Sequence, residues 1–504
     1  TAYEIKECDW SSDVCSSDLS MPGVIDVVKL PNGVGVLAKE IEQAFAAKNA
    51  LTVTWTNGPA ATYDSEKALD EFMIVARDKT QRGVDYLATG DLDAGMKKSA
   101  KIMRAEYKTR HVYHAQMEPL NATASVAPDG KSAEIWCGTQ GPTAAMNAAA
   151  QALSTTPDKI KCNQHYLGGG YGRRSQQEVV VDAVLLSKAA GKPVKLVWQR
   201  EDDIKGGKFR PATAHYLEAG LDANGRIVAW HHRVIAESVT GYTSPPERLA
   251  ALGGKDHILM KGSVLFAYDV PDKKIEFVRQ QRGIRLSPWR GVGVGHNLPA
   301  IEGFIDEIAK AAGKDPLAYR LDLASKNPRA QHLLRTVAEM SNWGAKRESA
   351  GTALGIALEE KDETLVAGVA EISLDRATGK IKVYNFWAAI DCGVNIQPFN
   401  TITQTEGGIV YGIGHVFLEE ITHVNGRVQQ SNFNDYRVLR MEDVPNIEVK
   451  VVSTDNKPTG VGEDGVPLTG ACIGNALFAL TGVRMKELPM TPARVLAALQ
   501  QGRT

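Results

Sequence analysis

The sequence predicts an α+β fold with more than one domain, and two observations support that prediction. The chain has 504 residues, 43% hydrophobic and 23% charged, which is enough for two to four globular domains with real cores. A strand-turn-strand pattern also occurs twice. Leu221-Asp222 with Gly225-Arg226-Ile227 is echoed by Leu374-Asp375 with Gly379-Lys380-Ile381, each joining two alternating stretches. The repetition indicates two related α+β domains.

Charge and composition exclude several classes of protein. The net charge is −1, so nothing in the bulk electrostatics favours a nucleic-acid partner or an anionic membrane. No apolar run reaches the roughly 18 residues of a transmembrane helix. The six cysteines show no metal-ligand spacing, so we predict neither a zinc or iron-sulfur site nor protein metal ligands in this chain. They are Cys8, Cys15, Cys137, Cys162, Cys392 and Cys472.

The first 99 residues divide into three predicted parts. Residues 1–19 resemble a translated sequencing adaptor, so we exclude them and expect the natural chain to begin further upstream. Residues 20–58 predict short strands at 22–28 and 33–38, a helix at 39–48 and a strand at 51–55. Residues 64–92 are charged and irregular, and we interpret 59–99 as a linker, with an excursion over a neighbouring domain as the alternative.

The first large domain is predicted over residues 100–330. Strands are expected at 134–137, 160–166 and 194–198, with helices at 143–153 and 178–190. Asn224-Gly225 predicts a hairpin turn. A helix is expected at 300–312, and Asp315 with Pro316 begins another.

The second large domain is predicted over residues 344–504. Its most informative element is a glycine-rich apolar helix at 403–417. Each helical glycine costs about 0.5 to 1 kcal/mol relative to alanine, so four of them indicate close approach of another backbone or a large ligand. They are Gly407, Gly408, Gly412 and Gly414.

The first catalytic candidate is Glu463, which lies in the glycine turn of residues 460–467. Glycines on both sides let the backbone approach a ligand, and the apolar run at 471–480 gives the turn a rigid base. A carboxylate held there is suited to act as a general base. An acidic residue in an ordinary surface loop is the alternative interpretation.

Other glycine loops and histidines allow more than one interpretation. Residues 167–174 and 289–293 offer backbone N–H groups to an anion or an oxo ligand, and 139–142 adds a polar amide; each could also be a simple turn. The first loop lacks the Gly-Lys-Ser/Thr ending of a P-loop and any clear βαβ unit. His231 and His232 are adjacent on a predicted strand and therefore face opposite sides, which disfavours a shared metal.

The motifs taken together are specific in a way that no single one is. They are His114-Ala115-Gln116-Met117-Glu118-Pro119-Leu120-Asn121-Ala122-Thr123, Trp136-Cys137-Gly138-Thr139-Gln140, Gly168-Gly169-Gly170-Tyr171-Gly172-Arg173-Arg174, Trp198-Gln199-Arg200-Glu201-Asp202-Asp203, Trp289-Arg290-Gly291-Val292-Gly293, Asp391-Cys392-Gly393, Glu406-Gly407-Gly408 and Gly460-Val461-Gly462-Glu463. This series resembles the molybdopterin-binding large subunit of the xanthine dehydrogenase and aldehyde oxidase family. The resemblance is strongest to the isoquinoline 1-oxidoreductase β-subunit group and related bacterial aldehyde dehydrogenases, over about residues 21–499.

The resemblance implies a fold, a cofactor and a set of site residues. The fold is two molybdopterin-binding domains, with residues 20–58 as the remnant of an α/β hammerhead domain. The cofactor is molybdenum bound to molybdopterin cytosine dinucleotide. Glu463 matches the glutamate that takes a proton from the attacking hydroxyl. The implied cofactor-binding residues are Gln140, Gly169, Gly170, Tyr171, Arg290, Gly291 and Gly462.

The resemblance also implies partners and a reaction. A molybdenum hydroxylase of this subclass oxidises an aldehyde or aromatic N-heterocycle and passes electrons to a small iron-sulfur subunit, in some members with a cytochrome c acceptor. A periplasmic location is favoured. A further Gly-Gln-Gly cofactor motif is expected upstream, so this piece alone should bind cofactor poorly. The chain departs from the family pattern at Asp464 and at Leu468-Thr469-Gly470, where relatives usually have proline-rich sequence after the matching glutamate.

Two alternatives stay open at this point. One is a catalytically inactive cofactor-binding or scaffold relative, which metal analysis would distinguish. The other is a nucleotide-dependent dehydrogenase, which needs a parallel, doubly wound sheet around Gly168. The family interpretation makes a geometric prediction of its own: the Gly168 loop, Arg290 and Glu463 should meet at one buried pocket.

Overall fold

The computed structural model describes residues 21–31, 33–55, 57–345 and 351–502, so the adaptor-like residues 1–19 lie outside it. The first elements are β1 (Val24–Leu30), β2 (Gly33–Ala38) and α1 (Ile41–Ala50). The strands pair with each other as an antiparallel hairpin. The predicted strand at 51–55 is wrong, because these residues pair with no strand of the described chain and form no regular element.

The interpretation of residues 64–92 as irregular is also wrong. The segment forms α2 (Ser65–Arg77) and β3 (Val84–Thr89), followed by α3 (Leu92–Lys98). The Asp64 side chain accepts hydrogen bonds from the backbone N–H groups of Glu66 and Lys67, which begins the helix. Helix α2 buries Leu69, Phe72 and Met73 on one face. Its charged residues lie mainly on the opposite face, which hid the helical period among them.

The first large block contains eight strands and eight helices among the described residues. They are β4 (Lys101–Thr109), β5 (Asn121–Val126), β6 (Ala133–Cys137), α4 (Pro142–Leu153), β7 (Ile160–Gln164), α5 (Glu178–Ala190), β8 (Val194–Val197), α6 (Arg200–Lys205), β9 (Thr213–Leu221), β10 (Ile227–Glu237), α7 (Val239–Thr243), α8 (Pro246–Ala251), β11 (Asp272–Gln280), α9 (Val294–Ala311), α10 (Pro316–Leu323) and α11 (Pro328–Met340). The predicted helices, the hairpin at Asn224-Gly225 and the Asp315 cap are confirmed. The strand predicted to reach residue 166 ends at Gln164.

The second block contains strands and helices from residue 352 to residue 501. It contains β12 (Thr352–Lys361), β13 (Thr364–Leu374), β14 (Ile381–Asp391), α12 (Pro398–Phe417), β15 (His423–Val424), β16 (Arg427–Val428), β17 (Asn446–Val451), α13 (Val466–Thr481), β18 (Glu487–Leu488) and α14 (Pro492–Gln501). The predicted glycine-rich helix is α12.

The two blocks repeat one sheet pattern, which confirms that the fold contains two related α+β units. Strands β4, β9, β10 and β11 are neighbours in a six-stranded sheet, and β12, β13, β14 and β17 form a four-stranded sheet. In each group the first two pairings are antiparallel and the third is parallel. A loop then leads from the last strand into a long helix, α9 in one unit and α13 in the other. These two helices pack against each other.

Close packing against the residues that begin α13 explains two of the four glycines of α12. A Cβ atom on Gly412 would lie 2.5 Å from the Val466 carbonyl oxygen, and one on Gly408 would lie 3.2 Å from the Asp464 carbonyl oxygen. The start of α13 therefore lies directly against α12, and the predicted close approach of another backbone is confirmed. This contact fixes the loop that carries Glu463.

A third sheet carries the Gly168 loop and excludes the dehydrogenase alternative. Its order is β7-β6-β5-β8, with β6 and β7 parallel but β5 antiparallel to both β6 and β8. A dinucleotide-binding domain requires successive parallel strands around a switch point. The helix after the Gly168 loop leads instead to β8, which pairs antiparallel at the far side of the sheet.

Candidate active site

The Gly168 loop packs closely against the side chain of Gln140. The Gly172 N–H donates to Gln140 Oε1 at 3.0 Å, and a Cβ atom on Gly170 would lie 2.6 Å from the same oxygen. Gly169 has φ +93°, and Tyr171 has φ +52°, a value uncommon for residues other than glycine. The structure therefore brings Gln140, Gly169, Gly170 and Tyr171 together.

An aromatic stack connects this loop to the glycine-rich helix. The Tyr171 ring stacks on Tyr411 with centroids 4.6 Å apart, and Tyr411 stacks on Trp289 at 4.8 Å. The Tyr411 hydroxyl donates to the His114 carbonyl oxygen at 2.8 Å. Since Trp289 directly precedes Arg290, the stack links the first glycine loop to the second.

Arg290 connects the second glycine loop to the Glu463 turn. Its Nε donates to the Gly462 carbonyl oxygen at 3.0 Å, and its Nη2 donates to the Gln404 carbonyl oxygen at 3.1 Å. Burial lowers the pKa of Arg290. Gly291, with φ +97°, lies against the start of α13, because a Cβ atom there would be 3.3 Å from Pro467 Cγ. The peptide before Glu463 is thus fixed from the neighbouring unit.

Glu463 itself is held by a cation. Its Oε2 lies 2.9 Å from Lys361 Nζ, at the end of β12. The Glu463 side chain is 33% exposed, whereas that of Lys361 is 11% exposed. The ion pair restricts the orientation of the carboxylate, yet leaves it accessible to a molecule on the outer side of the turn.

The predicted site residues meet, but on an open face rather than in a buried pocket. Gln140, Gly407 and Gly462 are exposed, so among the described residues the expectation of an enclosed pocket is wrong. A small cavity of about 20 Å³ lies elsewhere, between β4, α9 and residues 484–490. None of the predicted site residues lines it, and its size suits one water molecule.

The open face fits a large cofactor that brings its own metal. A Cβ atom on Gly407 or Gly460 would meet nothing within 4 Å, and one on Gly462 would meet only Gln404 Nε2, at 3.9 Å. Glycine backbone therefore borders free space on both α12 and the Glu463 turn. No group of three or more His, Cys, Asp or Glu in the described ranges could hold a metal ion. A cofactor whose own atoms ligate the metal needs no such group of protein side chains.

The candidate histidines have structural partners. His231 Nε2 lies 2.7 Å from Glu276, while His232 Nε2 lies 3.1 Å from His215 Nδ1, so the two adjacent side chains face opposite sides as predicted. Burial lowers the pKa of His114 and of His232 to about 3.

Throughout the described ranges, no helix is both long and apolar enough to cross a bilayer.

A glycine-lined open face built by two related units is the arrangement expected of a protein that binds a large cofactor. Two family models, each for a molybdopterin cofactor-binding domain, match residues 76–322 and 344–445. Together they cover more than half of the chain. The chain belongs to the molybdopterin cofactor-binding large subunits of the xanthine dehydrogenase and aldehyde oxidase family.

Individual relatives agree with this assignment. The chain is 37% identical to isoquinoline 1-oxidoreductase subunit beta of Brevundimonas diminuta, over 94% of the chain and 61% of the relative. It is 31% identical to the membrane-bound aldehyde dehydrogenase [pyrroloquinoline-quinone] of Gluconacetobacter polyoxogenes, over 93% of the chain and 63% of the relative. The chain therefore spans about three fifths of the length of these two relatives.

Solved structures show the same fold. Quinoline 2-oxidoreductase from Pseudomonas putida 86 superposes with a TM-score of 0.81, at 17% identity, over 97% of this chain and 92% of that one. The aldehyde oxidoreductase from Desulfovibrio gigas gives 0.77 at 15% identity, over 96% and 75%.

Sequence reasoning missed three residues that build the site. Tyr411 could have been found, because it follows Gly407 by one helical turn on a helix already predicted to contact a ligand or backbone. Gln404 lies one turn before Gly408 on the same helix. No local sequence pattern indicated Lys361, because its ion pair with Glu463 connects residues about 100 positions apart in the chain.

Proposed function

We propose that this chain is the catalytic large-subunit portion of a molybdenum hydroxylase. Its substrate class is an aldehyde or an aromatic N-heterocycle, oxidised with oxygen derived from water. The names of the relatives, which include isoquinoline, aldehyde and nicotinate enzymes, support this class.

The observation that carries the proposal is the placement of Glu463. Its carboxylate stands on a turn bordered by glycine backbone and open space, it is partly exposed, and Lys361 restricts its orientation. Its backbone is fixed through Arg290. A surface-loop carboxylate would not need a buried guanidinium from another domain to hold the preceding peptide.

The residues of the chain divide the work of the reaction. When bound, the molybdopterin cofactor supplies a molybdenum centre that accepts two electrons from the substrate. The Glu463 carboxylate accepts the proton of the hydroxyl that attacks the substrate carbon. One side of the open face, opposite the Glu463 turn, is formed by the Gly168 loop and its neighbour, namely Gln140, Gly169, Gly170 and Tyr171. The Glu463 turn itself is kept in place by Arg290, Gly291 and Gly462.

The finer features of the assembly are also proposals. The cofactor is the cytosine dinucleotide form, and electrons pass to a small iron-sulfur subunit and from there to a cytochrome c as the final acceptor. Two observations support the partner: the cysteines here lack cluster-ligand spacing, and the relatives are named as subunits. A periplasmic location goes with this subclass.

Metal analysis and substrate reduction test the proposal. The full-length protein should be co-expressed with its small subunit, and molybdenum should be measured per chain. Cofactor absorbance should then be followed after anaerobic addition of aldehydes and of quinoline-type heterocycles. Near-stoichiometric molybdenum with bleaching by one of these classes is expected. Bound molybdenum without reduction by any of them would favour the inactive cofactor-binding alternative.

A further inference from the structure

A group of five ionisable side chains lies behind the open face, where β12 ends beside the Glu463 turn. Lys361 is the cation of the group, and its Nζ lies 2.9 Å from Glu463 and 3.8 Å from Asp362 on the surface side. On the interior side are Glu359 and Asp464, which are 0% and 1% exposed. Four carboxyl groups therefore lie around one ammonium group.

The two interior carboxyl groups have few partners. Among the described residues, none of the four carboxyl oxygens of Glu359 and Asp464 makes a hydrogen bond of good geometry. Nearby backbone N–H groups lower the pKa of each carboxyl group, but the charge of Lys361 lowers it more. Buried carboxyl groups are normally hydrogen-bonded or ion-paired, since leaving them unsatisfied costs free energy. These two therefore depend on the nearby charge of Lys361 more than on hydrogen bonds.

The geometry of β12 explains how the group assembles. Side chains two residues apart on a strand share a face, so Gly355, Glu359 and Lys361 all point toward α13. A Cβ atom on Gly355 would lie 2.1 Å from the Ala476 backbone nitrogen, which shows how closely the strand and the helix pack. Asp464 lies just before the start of this helix. The strand thus delivers Glu359 and Lys361 to the base of the Glu463 turn.

We propose that Lys361 is a positioning residue for Glu463. Its ammonium group fixes the carboxylate toward the glycine-lined space, and the buried carboxyl groups of Glu359 and Asp464 attract that ammonium from the interior side. This inference rests on the proposed role of Glu463 as the base. It also gives a reason for burying Glu359 and Asp464 at positions where an apolar side chain would pack at lower cost.

The electrostatic directions agree with this arrangement. Burial raises the pKa of Glu359 well above its ordinary value, and repulsion from Asp464 raises it further. Burial also raises the pKa of Asp464 to about 6, and Lys361 opposes the shift in both. Burial works against Lys361, yet the neighbouring carboxylates raise its pKa. Other titratable or charged groups that interact with this cluster include Arg290, Cys392 and Cys472.

A kinetic comparison tests the positioning role in the full-length complex. Lys361→Gln should lower kcat about tenfold, with little change in KM or molybdenum content, because the base is misoriented rather than the substrate unbound. Lys361→Arg keeps the charge and should recover kcat to within about threefold of wild type. Lys450→Gln, on the exposed side of β17, is the matched control and should not change kcat.

A stability measurement tests the same cluster without using activity. A carboxyl group whose pKa is raised in the folded state stabilises the fold below its unfolded pKa and loses that contribution as pH rises through its folded pKa. Lys361→Gln should therefore deepen the fall in Tm between pH 6 and pH 8 by on the order of 3 °C. Adding Glu359→Gln should remove the extra fall in Tm, but should not restore kcat.

The outcomes separate this inference from the proposed function. If Glu463→Gln abolishes turnover while Lys361→Gln keeps more than half of the wild-type kcat, the positioning role is overturned and the function stands. The role is also overturned if kcat and molybdenum content fall together and arginine does not restore them. If Glu463→Gln is fully active, the proposed function fails, and the Tm cycle alone then decides whether Lys361 is coupled to Glu359.

Discussion

The loop after β11 and the loop after β17 occupy equivalent positions in the two repeated sheets, yet they carry opposite charges. The first presents Arg290, whose guanidinium satisfies two backbone carbonyl oxygens of the other unit. The second presents the proposed base Glu463 and, next to it, Asp464, whose buried carboxyl oxygens make no hydrogen bond of good geometry among the described residues. One architecture thus carries a supporting guanidinium in one loop and the proposed base in the other. Groups that only support a site are usually hydrogen-bonded, whereas electrostatically costly groups often lie beside reactive ones.

The glycines at the end of each loop offer the sharpest comparison in stability. Gly465 has φ +111°, and a Cβ atom there would lie 2.9 Å from the Thr405 carbonyl oxygen, a backbone atom. Gly465→Ala should lower the free energy of unfolding by about 4 kcal/mol, through backbone strain and this contact. Gly291→Ala meets only side-chain atoms of Pro467 and Val466, the nearest at 3.3 Å, and should cost about 2 kcal/mol. Chemical denaturation would measure both, and equal costs would contradict the comparison.

The supporting role of Arg290 gives the next largest effect. Arg290→Met keeps most of the side-chain length but removes both charge-assisted hydrogen bonds, so it should destabilise the fold by about 2 to 3 kcal/mol at any pH between 6 and 8. Arg437→Met, at an exposed position, should change stability by less than about 0.5 kcal/mol. An Arg290 variant as stable as the control would show that the guanidinium does not hold the turn.

Asp464 should behave in the opposite way. Burial raises its pKa to about 6 from an ordinary value of 3.8, so its contribution to stability is present below about pH 4 and lost as pH rises through 6. Asp464→Asn should therefore increase the free energy of unfolding at pH 8 by on the order of 2 kcal/mol, with no gain at pH 4. Denaturation curves at the two pH values check this. A loss of stability at pH 8 would mean that Asp464 is satisfied in a way that its contacts do not show.

Local patterns in the sequence predicted most of the elements, because caps and turns are read from neighbouring residues. The fold adopts the local geometry that three such patterns predict: a helix start at Asp315 with Pro316, a hairpin turn at Asn224-Gly225 and a close backbone approach at the glycines of α12. Residues 51–55 failed because strand formation depends on a distant partner. Helix α2 was missed because its charged face concealed a buried one.

The candidate site also has a part that the sequence predicted and a part that it did not. The convergence of Gln140, Tyr171, Arg290 and Glu463 followed from a series of motifs rather than from any single residue. The ion pair of Lys361 with Glu463 and the unpartnered Glu359 could not be foreseen, since they depend on how β12 meets α13. Contacts between distant segments decide which carboxylate is held and which is left unsatisfied.

The measurement that tests the central claim most directly is the reductive half-reaction of Glu463→Gln in the full-length complex. Glutamine keeps the size and most hydrogen bonds but cannot accept the proton, so the rate per bound molybdenum should fall about 10² to 10⁴-fold. Molybdenum content and Tm should stay near wild type, and the exposed control Glu448→Gln should keep the full rate. A Glu463→Gln rate above about a tenth of wild type, normalised to molybdenum, would contradict the catalytic role of Glu463.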